Sequence, residues 1–311
     1  MKFHYAWIQV GKKIALDYKS LGMIFVEKNV QGNFEPNQEL DYYINKNNRP
    51  AEIFDAFNNP AGTNWDLGKD GKFGNYKVII GQFYTGEGFT MESFHKYPGS
   101  ILKQKGFKYD VYNDEEQFIQ HLNEYNIAWV ISDISSCKNE TKFTDAIQTF
   151  FRSGKGLFVF ADNVPVVVHA NAIFKKLFGN MQLVGDFFGT ETLLKNKTTD
   201  FSQQNSSNNS QLAGTFSNIH PIGYGLDNIY EGITICHPIN MPKEFEVFSY
   251  ASDGNANTVI LDKNQDHGRI VVDCGYTKLF AQFWNTAGTG RYIGNACVWL
   301  TGISIPKEKK N

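Results

Sequence analysis

From Tyr76 onward the chain alternates short apolar runs with amphipathic stretches. Tyr76–Ile80 (YKVII) stops at Gly81, as a strand buried on both faces does. Phe107–Tyr112 follows, and then a helical stretch from Asp114 to Tyr125 with Phe118, Ile119 and Leu122 on one side. Ile127–Ser132 (IAWVIS) predicts the next strand. Thr141–Phe151 places Phe143, Ala146, Ile147, Phe150 and Phe151 at helical spacing. Gly156–Ala161 (GLFVFA) is a fourth strand, and Val166–Phe178 is its helix. Strands alternating with helices of this length predict βαβ units and a parallel sheet, and right-handed crossovers leave few topologies open.

Two regions break this rhythm. Residues 1–75 are punctuated by Gly and Asn and offer two strand-like pieces, Tyr5–Val10 and Met23–Val26, with a short helix opened by Pro50 and running through Phe57. So few apolar runs would be marginal alone, so residues 1–75 are expected as an N-terminal extension packed on a main domain of residues 76–302. Lys195–Gln211 is polar and rich in Asn, Ser and Gln, which predicts an exposed, mobile loop. Beyond it, Gly232–Cys236, Glu246–Tyr250, Asn257–Leu261 and Arg269–Asp273 are shorter strands. The turns Asp253-Gly254-Asn255 and Asp266-His267-Gly268 make the later ones antiparallel additions. A helix over Gly290–Thr301 closes the domain, and residues 303–311 form a charged tail.

Composition narrows the functional classes. Of 311 residues, 41 % are hydrophobic and 20 % charged, which suffices for a sizeable core; 26 Phe and 15 Tyr can supply much of its area. A net charge of −2 gives no basic surplus for a nucleic-acid partner. No run approaches the roughly 18 apolar residues of a membrane span, and Met1–Leu16 reads as a strand rather than a signal peptide. Cys137, Cys236, Cys274 and Cys297 form no C-x-x-C pair, so free thiols in a reducing cytoplasm are expected. No cofactor and no metal is expected, and homo-oligomerisation stays open.

The most informative stretch is Gly154–Asn163 (GKGLFVFADN): a small-residue turn, a buried strand, and a polar pair before a helix. Ligands of doubly wound sheets bind outside the strand carboxyl ends, and a nucleophile often occupies such a strand-to-helix turn. Here the turn carries Asp162 and Asn163, neither a thiol nor a hydroxyl. Asp133, Asp162 and Asp273 each sit at a predicted strand end, where they could hold a divalent cation or act as caps and turn residues. Asn163, His169 and Asn171 could line a pocket, although His169 in an apolar helix is expected as a packing residue. Lys278 and Arg291 flank Trp284, where an anion site or an ion pair with Asp273 is open. Gly81–Gly88 (GQFYTGEG) lacks the ending of a phosphate loop and reads as a flexible loop, and Cys274 reads as a buried thiol.

The run Gly154–Gly185 resembles class I glutamine amidotransferase-like domains, of the kind that accompany von Willebrand factor A domains. It keeps their G-DN-P turn (Asp162, Asn163, Pro165), the Ala170-Asn171 pair, the Leu177-Phe178-Gly179 triplet and Gly185. Leu226–Ile235 (LDNIYEGITI) is similar to their L-x-x-L-Y-E-G-I-T segment. Asp273–Leu300 is similar to D-x-G-F-T-K-L ahead of a GTARY helix. The resemblance implies an α/β, flavodoxin-like, doubly wound and mostly parallel sheet with helices on both faces. The departure is the missing nucleophilic cysteine, without which amidotransferase chemistry cannot run. No A domain is present: residues 1–75 are too short and D-x-S-x-S does not occur.

These readings favour a non-catalytic module that binds a small-molecule ligand or a protein partner, with candidate binding residues Asp162, Asn163, Asn171, Asp273, Lys278 and Arg291. The alternatives are a hydrolase or lyase with Asp162 as base or metal ligand and Asn163 and Lys278 orienting substrate, and a self-associating structural protein.

Overall fold

In the computed structural model the described residues are 43–45, 51–197, 201 and 208–304, all within one compact unit that starts at Tyr43. The expected strands Tyr5–Val10 and Met23–Val26 and the tail from Ile305 lie outside them.

The first half is a run of βα units: β1 (Lys77–Gln82), α1 (Met91–Lys96), α2 (Pro98–Lys105), β2 (Lys108–Tyr112), α3 (Glu115–His121), β3 (Ile127–Ile131), α4 (Glu140–Arg152), β4 (Gly156–Phe160) and α5 (Val168–Phe178). The second half is mostly strands: β5 (Gln182–Phe188), β6 (Thr192–Lys195), β7 (Thr215–Phe216), β8 (Asn228–Tyr230), β9 (Thr234–Ile239), β10 (Glu246–Tyr250), β11 (Ala256–Leu261) and β12 (Ile270–Asp273), before α6 (Thr289–Leu300). Ten strands form one mixed sheet in the order β2-β1-β3-β4-β12-β11-β10-β7-β6-β8, and β5 pairs with β9 in a separate ribbon. The block β2-β1-β3-β4-β12 is parallel throughout. From β12 outward the pairing turns antiparallel through β11, β10 and β7, with β6 parallel to β7 and β8 antiparallel at the edge.

The period of two in the central strands divides the interior into two cores. Val78, Ile80, Trp129, Phe158, Phe160 and Val271 face one side, where Phe94 of α1, Leu102 of α2 and Ile293 and Val298 of α6 pack. Ile79, Val130, Leu157, Val159 and Val272 face the other, against Phe118 of α3, Phe143, Ile147 and Phe150 of α4, and Ile173 and Phe174 of α5. Strands covered on both faces need apolar side chains at every position, so β3 and β4 are continuous apolar runs. Among the described residues no helix is long and apolar enough to cross a membrane.

Several sequence expectations are corrected. The helix expected to run to Phe57 is absent from residues 51–57: Asp55 Oδ1 accepts the main-chain N–H groups of Phe57 and Asn59, and Phe54 bridges back to Pro60. A side chain that satisfies backbone donors locally competes with the helix. Helices α1 and α2 fill a span where none was expected. Thr90 and Ser93 form a capping box at the first, Pro98 opens the second, and Gly106 closes it in the left-handed conformation. The strand expected over Gly232–Cys236 is Thr234–Ile239 and belongs to the separate ribbon. In the expected polar loop, Lys195 ends β6, Phe201 is buried and Ser210–Leu212 is a 3-10 turn; residues 198–200 and 202–207 lie outside the described set.

The described residues before Tyr76 are fastened to the sheet by charge as well as by Ile44, Leu67 and Phe73. Lys105 of α2, almost fully buried, bonds Asp66, Asp70 and the carbonyl of Gly68, and Arg291 of α6 bonds the other oxygen of Asp66. Asp66 thus bonds two cations, the buried Lys105 and the part-buried Arg291. Removing it leaves both under-compensated in a medium that solvates charge poorly. Asp66→Asn should lower the unfolding free energy by about 3 kcal/mol in urea titration. Adding Lys105→Met should cost less than the sum of the two single changes, because the pair is coupled.

Candidate functional site

The parallel strands deliver their carboxyl ends to one rim. There β4 is prolonged beyond Phe160: the Ala161 N–H donates to the Asp273 carbonyl at 2.9 Å, and the Tyr276 N–H donates to the Ala161 carbonyl at 3.2 Å. The chain then reverses at once. The Asp162 N–H reaches the Val166 carbonyl, the Val166 N–H reaches the Asn163 carbonyl at 2.7 Å, and α5 begins at Val168. The Val164–Pro165 peptide within this reversal is cis.

Asp162 lies at the centre of the turn with 2 % of its surface exposed. One carboxylate oxygen accepts the Asn163 N–H at 2.8 Å, the other accepts the Thr277 N–H at 3.2 Å, and the Thr234 hydroxyl adds a third bond. Burial dominates its titration and pushes the carboxyl up to about 7, although all three hydrogen bonds favour the ionised form. No cation is bonded to it among the described contacts.

Asp273 shows the opposite solution. It is fully buried, and Lys278 Nζ donates to both its oxygens at 2.9 Å, with the Tyr292 hydroxyl at 2.7 Å and the Gly275 N–H at 3.0 Å completing the shell. Asn163 donates to Asp186 at 2.8 Å, and the neighbouring Val164 N–H donates to the Gly185 carbonyl, tying the turn to β5. Asn171 ties α5 to β5 as well: its amide donates to the Leu183 carbonyl and its oxygen accepts the Leu183 N–H, which copies a rung of a β-ladder.

Of the alternatives the sequence left open here, the ion pair of Lys278 with Asp273 is formed and the ligand sites are not. Lys278 and Arg291 do not form an anion site around Trp284. Lys278 is spent on Asp273, and Arg291 is spent on Asp66 and the carbonyls of Gly225, Pro60 and Gly62. The carboxylates of Asp133, Asp162 and Asp273 do not gather into a cation site either. Among the described residues, the one group of three close ligand atoms from His, Cys, Asp or Glu is Glu115, Cys137 and His169. No cysteine lies in the 162–167 turn. Burial pushes Cys137 up to about 12 and Cys236 well above the usual thiol range, while Cys274 is fully buried.

Residues not singled out from the sequence hold the turn in place. Segments 229–235 and 273–279 cross in direct main-chain contact beneath it: a Cβ on Gly275 would lie 2.2 Å from the Glu231 carbonyl oxygen. The Ile233 N–H donates to the Thr277 hydroxyl at 2.8 Å. Glu231 is fully buried, takes bonds from Glu191 N–H and from the N–H and hydroxyl of Ser252, and has its carboxyl raised, chiefly by burial. Tyr84, from the connection after β1, lies beside Tyr276 with ring centres 5.6 Å apart. Tyr276 has its hydroxyl pushed well up by burial and by Asp162. The signal for Glu231 and Thr277 was their place inside the Y-E-G-I-T and Y-T-K-L runs. Beside the turn, Val164 (42 %), Phe187 (38 %) and Phe188 (82 %) are exposed.

No family model and no curated protein matches the chain. Among solved structures, the mmIFT52 N-terminal domain superposes with a TM-score of 0.51 at 12 % identity, covering 74 % of this chain and 99 % of that one. A ThuA-like protein from Bacteroides uniformis ATCC 8492 gives 0.38 at 15 % identity, over 72 % and 91 % of the two chains. A cytoplasmic protein from Salmonella typhimurium LT2 gives 0.45 at 11 %, over 72 % and 98 %. The likeness to the first is one of fold.

Two outcomes follow from this geometry. Because the folded Asp162 binds its proton more tightly than the unfolded chain does, its contribution to stability is complete below about pH 4. It is lost as pH rises toward 7. Urea titrations between pH 4 and 8 should show this decline, and Asp162→Asn should flatten it. Gly275→Ala should destabilise the fold by about 3 kcal/mol through overpacking against main chain. Gly74→Ala, whose Cβ would meet nothing closer than 3.8 Å, should stay within about 0.5 kcal/mol of wild type.

Proposed function

We propose that the chain is a class I glutamine amidotransferase-like domain of flavodoxin-like, doubly wound type that has become a non-catalytic module binding a protein partner or a small ligand. The order β2-β1-β3-β4-β12 supports the scaffold reading, since it is the flavodoxin-like 2-1-3-4-5 order with β12 in the fifth place. Helices on both faces of that block agree with it.

The observation that carries the functional reading is the state of Asp162. At the turn where amidotransferase relatives would place sulfur, the chain has a carboxylate whose two oxygens are taken by neighbouring main-chain N–H groups and which solvent barely reaches. Among the described residues no histidine is hydrogen-bonded to Asp162. His95 bonds Tyr109, His121 bonds Glu124, His169 bonds Glu115, His267 bonds its own loop, and the rings of His220 and His237 lie against Trp299 and Phe187. With Lys278 and Asp273 neutralising each other, few polar groups are left to orient a small substrate. Exposed Val164, Phe187 and Phe188 beside the turn favour the face of a protein partner.

One observation favours a second reading, a hydrolase or lyase with Asp162 as base: burial raises its carboxyl into the range of a working general base. The two readings separate in one assay. Purified chain incubated with glutamine and a panel of amides and esters should show no steady turnover above buffer. Turnover that Asp162→Asn abolishes, while the variant keeps its fold by circular dichroism, establishes the hydrolase reading instead.

A further inference from the structure

We propose that Glu115, Cys137 and His169 form a binding site for a single divalent transition-metal ion of the zinc class. The three residues come from different elements: Glu115 opens α3, Cys137 lies between β3 and α4, and His169 is in the first turn of α5. Their ligand atoms all lie within 4.8 Å of one another, and His169 Nε2 is already 3.1 Å from Glu115 Oε1. A tetrahedral zinc ion with bonds of about 2.0–2.3 Å sets its ligand atoms roughly 3.2–3.8 Å apart, so a small closure suffices. Sulfur, imidazole and carboxylate together suit zinc rather than calcium or magnesium, which take oxygen shells. Three protein ligands leave a fourth position for water.

The surroundings hold the ligands in place. The Lys138 N–H donates to Glu115 Oε2 at 2.9 Å and leaves Oε1 turned toward the imidazole. Phe83 stacks on the His169 ring with centres 4.5 Å apart, Phe143 meets its edge, and the Ser132 hydroxyl accepts the main-chain N–H of His169. Cys137 is the one cysteine of the four that is not fully buried, which gives an ion a way in. The proton balance is definite. Metal binding releases the Cys137 thiol proton to solvent, and the ring proton moves from Nε2 to Nδ1. Nδ1 now accepts the Asp133 N–H at 3.2 Å, so loading must turn that hydrogen bond away. This cost sets the affinity below that of a structural site whose histidines already donate outward. The site would clamp the starts of α3 and α5 to the β3–α4 connection, and it does not depend on how the Asp162 rim is read.

The test uses the untagged full chain stripped with EDTA and then titrated with Zn²⁺ by calorimetry and with Co²⁺ by absorption. The proposal expects one equivalent bound, a sulfur-to-cobalt charge-transfer band that Cys137→Ser removes, and at least tenfold weaker zinc binding in Cys137→Ser, Glu115→Gln and His169→Gln. In wild type, zinc should slow iodoacetamide alkylation of Cys137 at least tenfold, a readout that needs no variant to fold. No zinc bound by wild type, equal binding by wild type and a folded Cys137→Ser, or unchanged Cys137 alkylation overturns it.

Discussion

The parallel pairing of β12 with β4 is the constraint on which the rest of this structure depends. β12 is distant in sequence from β4, yet it runs beside it in register from Ile270 opposite Leu157 to Asp273 opposite Phe160. The ladder goes on past both strands, through Ala161 to Asp273 and Tyr276 to Ala161. That continuation sets residues 273–279 directly against the 162–167 turn, so the Thr277 N–H can reach Asp162 and Lys278 can reach back to Asp273. It also switches the sheet from parallel to antiparallel, because β12 gives one edge to β4 and the other to β11. A slip of one residue would exchange Val271 and Val272 between the two cores and separate Asp162 from its donor together.

The central strands and α3 to α6 were legible because burial on two faces or one stripe leaves an unmistakable apolar pattern. α1 and α2 were not, because their apolar stripe is thin: Phe94 and Leu102 carry it, and one of the buried positions is the charged Lys105. Their termini were written plainly in Thr90, Ser93, Pro98 and Gly106, which makes capping chemistry the better guide where periodicity is weak. β5 was hidden by Gly185, whose left-handed conformation falls where its register with β9 shifts. The end of β9 was cut short in the sequence by Pro238, which a strand of a two-stranded ribbon tolerates where a central strand would not.

The site was legible as a place rather than as chemistry. The reversal after Ala161 follows from a buried strand ending in polar residues. Whether such residues are free depends on hydrogen-bond partners supplied by other segments of the chain, and residue type does not encode them. Asp162 finds Thr277, Asn171 finds Leu183, and Arg291 finds Asp66. All three side chains fit a ligand site by type and all three are consumed in holding segments together. The polar content of the three motifs is therefore explained in large part by assembly of the rim.

The contrast between the two buried carboxylates at that rim bears on what can cover it. Asp273 is paired with the Lys278 ammonium and bonded by a tyrosine hydroxyl. Asp162 has only neutral dipoles, and near neutral pH it holds its proton for part of the time. Lys278 and Asp273 therefore offset each other, and the oxygens of Asp162 and Asp273 already have protein partners in place of water. Covering such a surface with protein forfeits little hydration, because the desolvation cost was met when the chain folded. An anionic substrate would find no unpaired cation there, whereas an apolar partner face would gain the area of Val164, Phe187 and Phe188. The same interactions that hold the turn in place thus leave its two carboxylates already bonded within the protein.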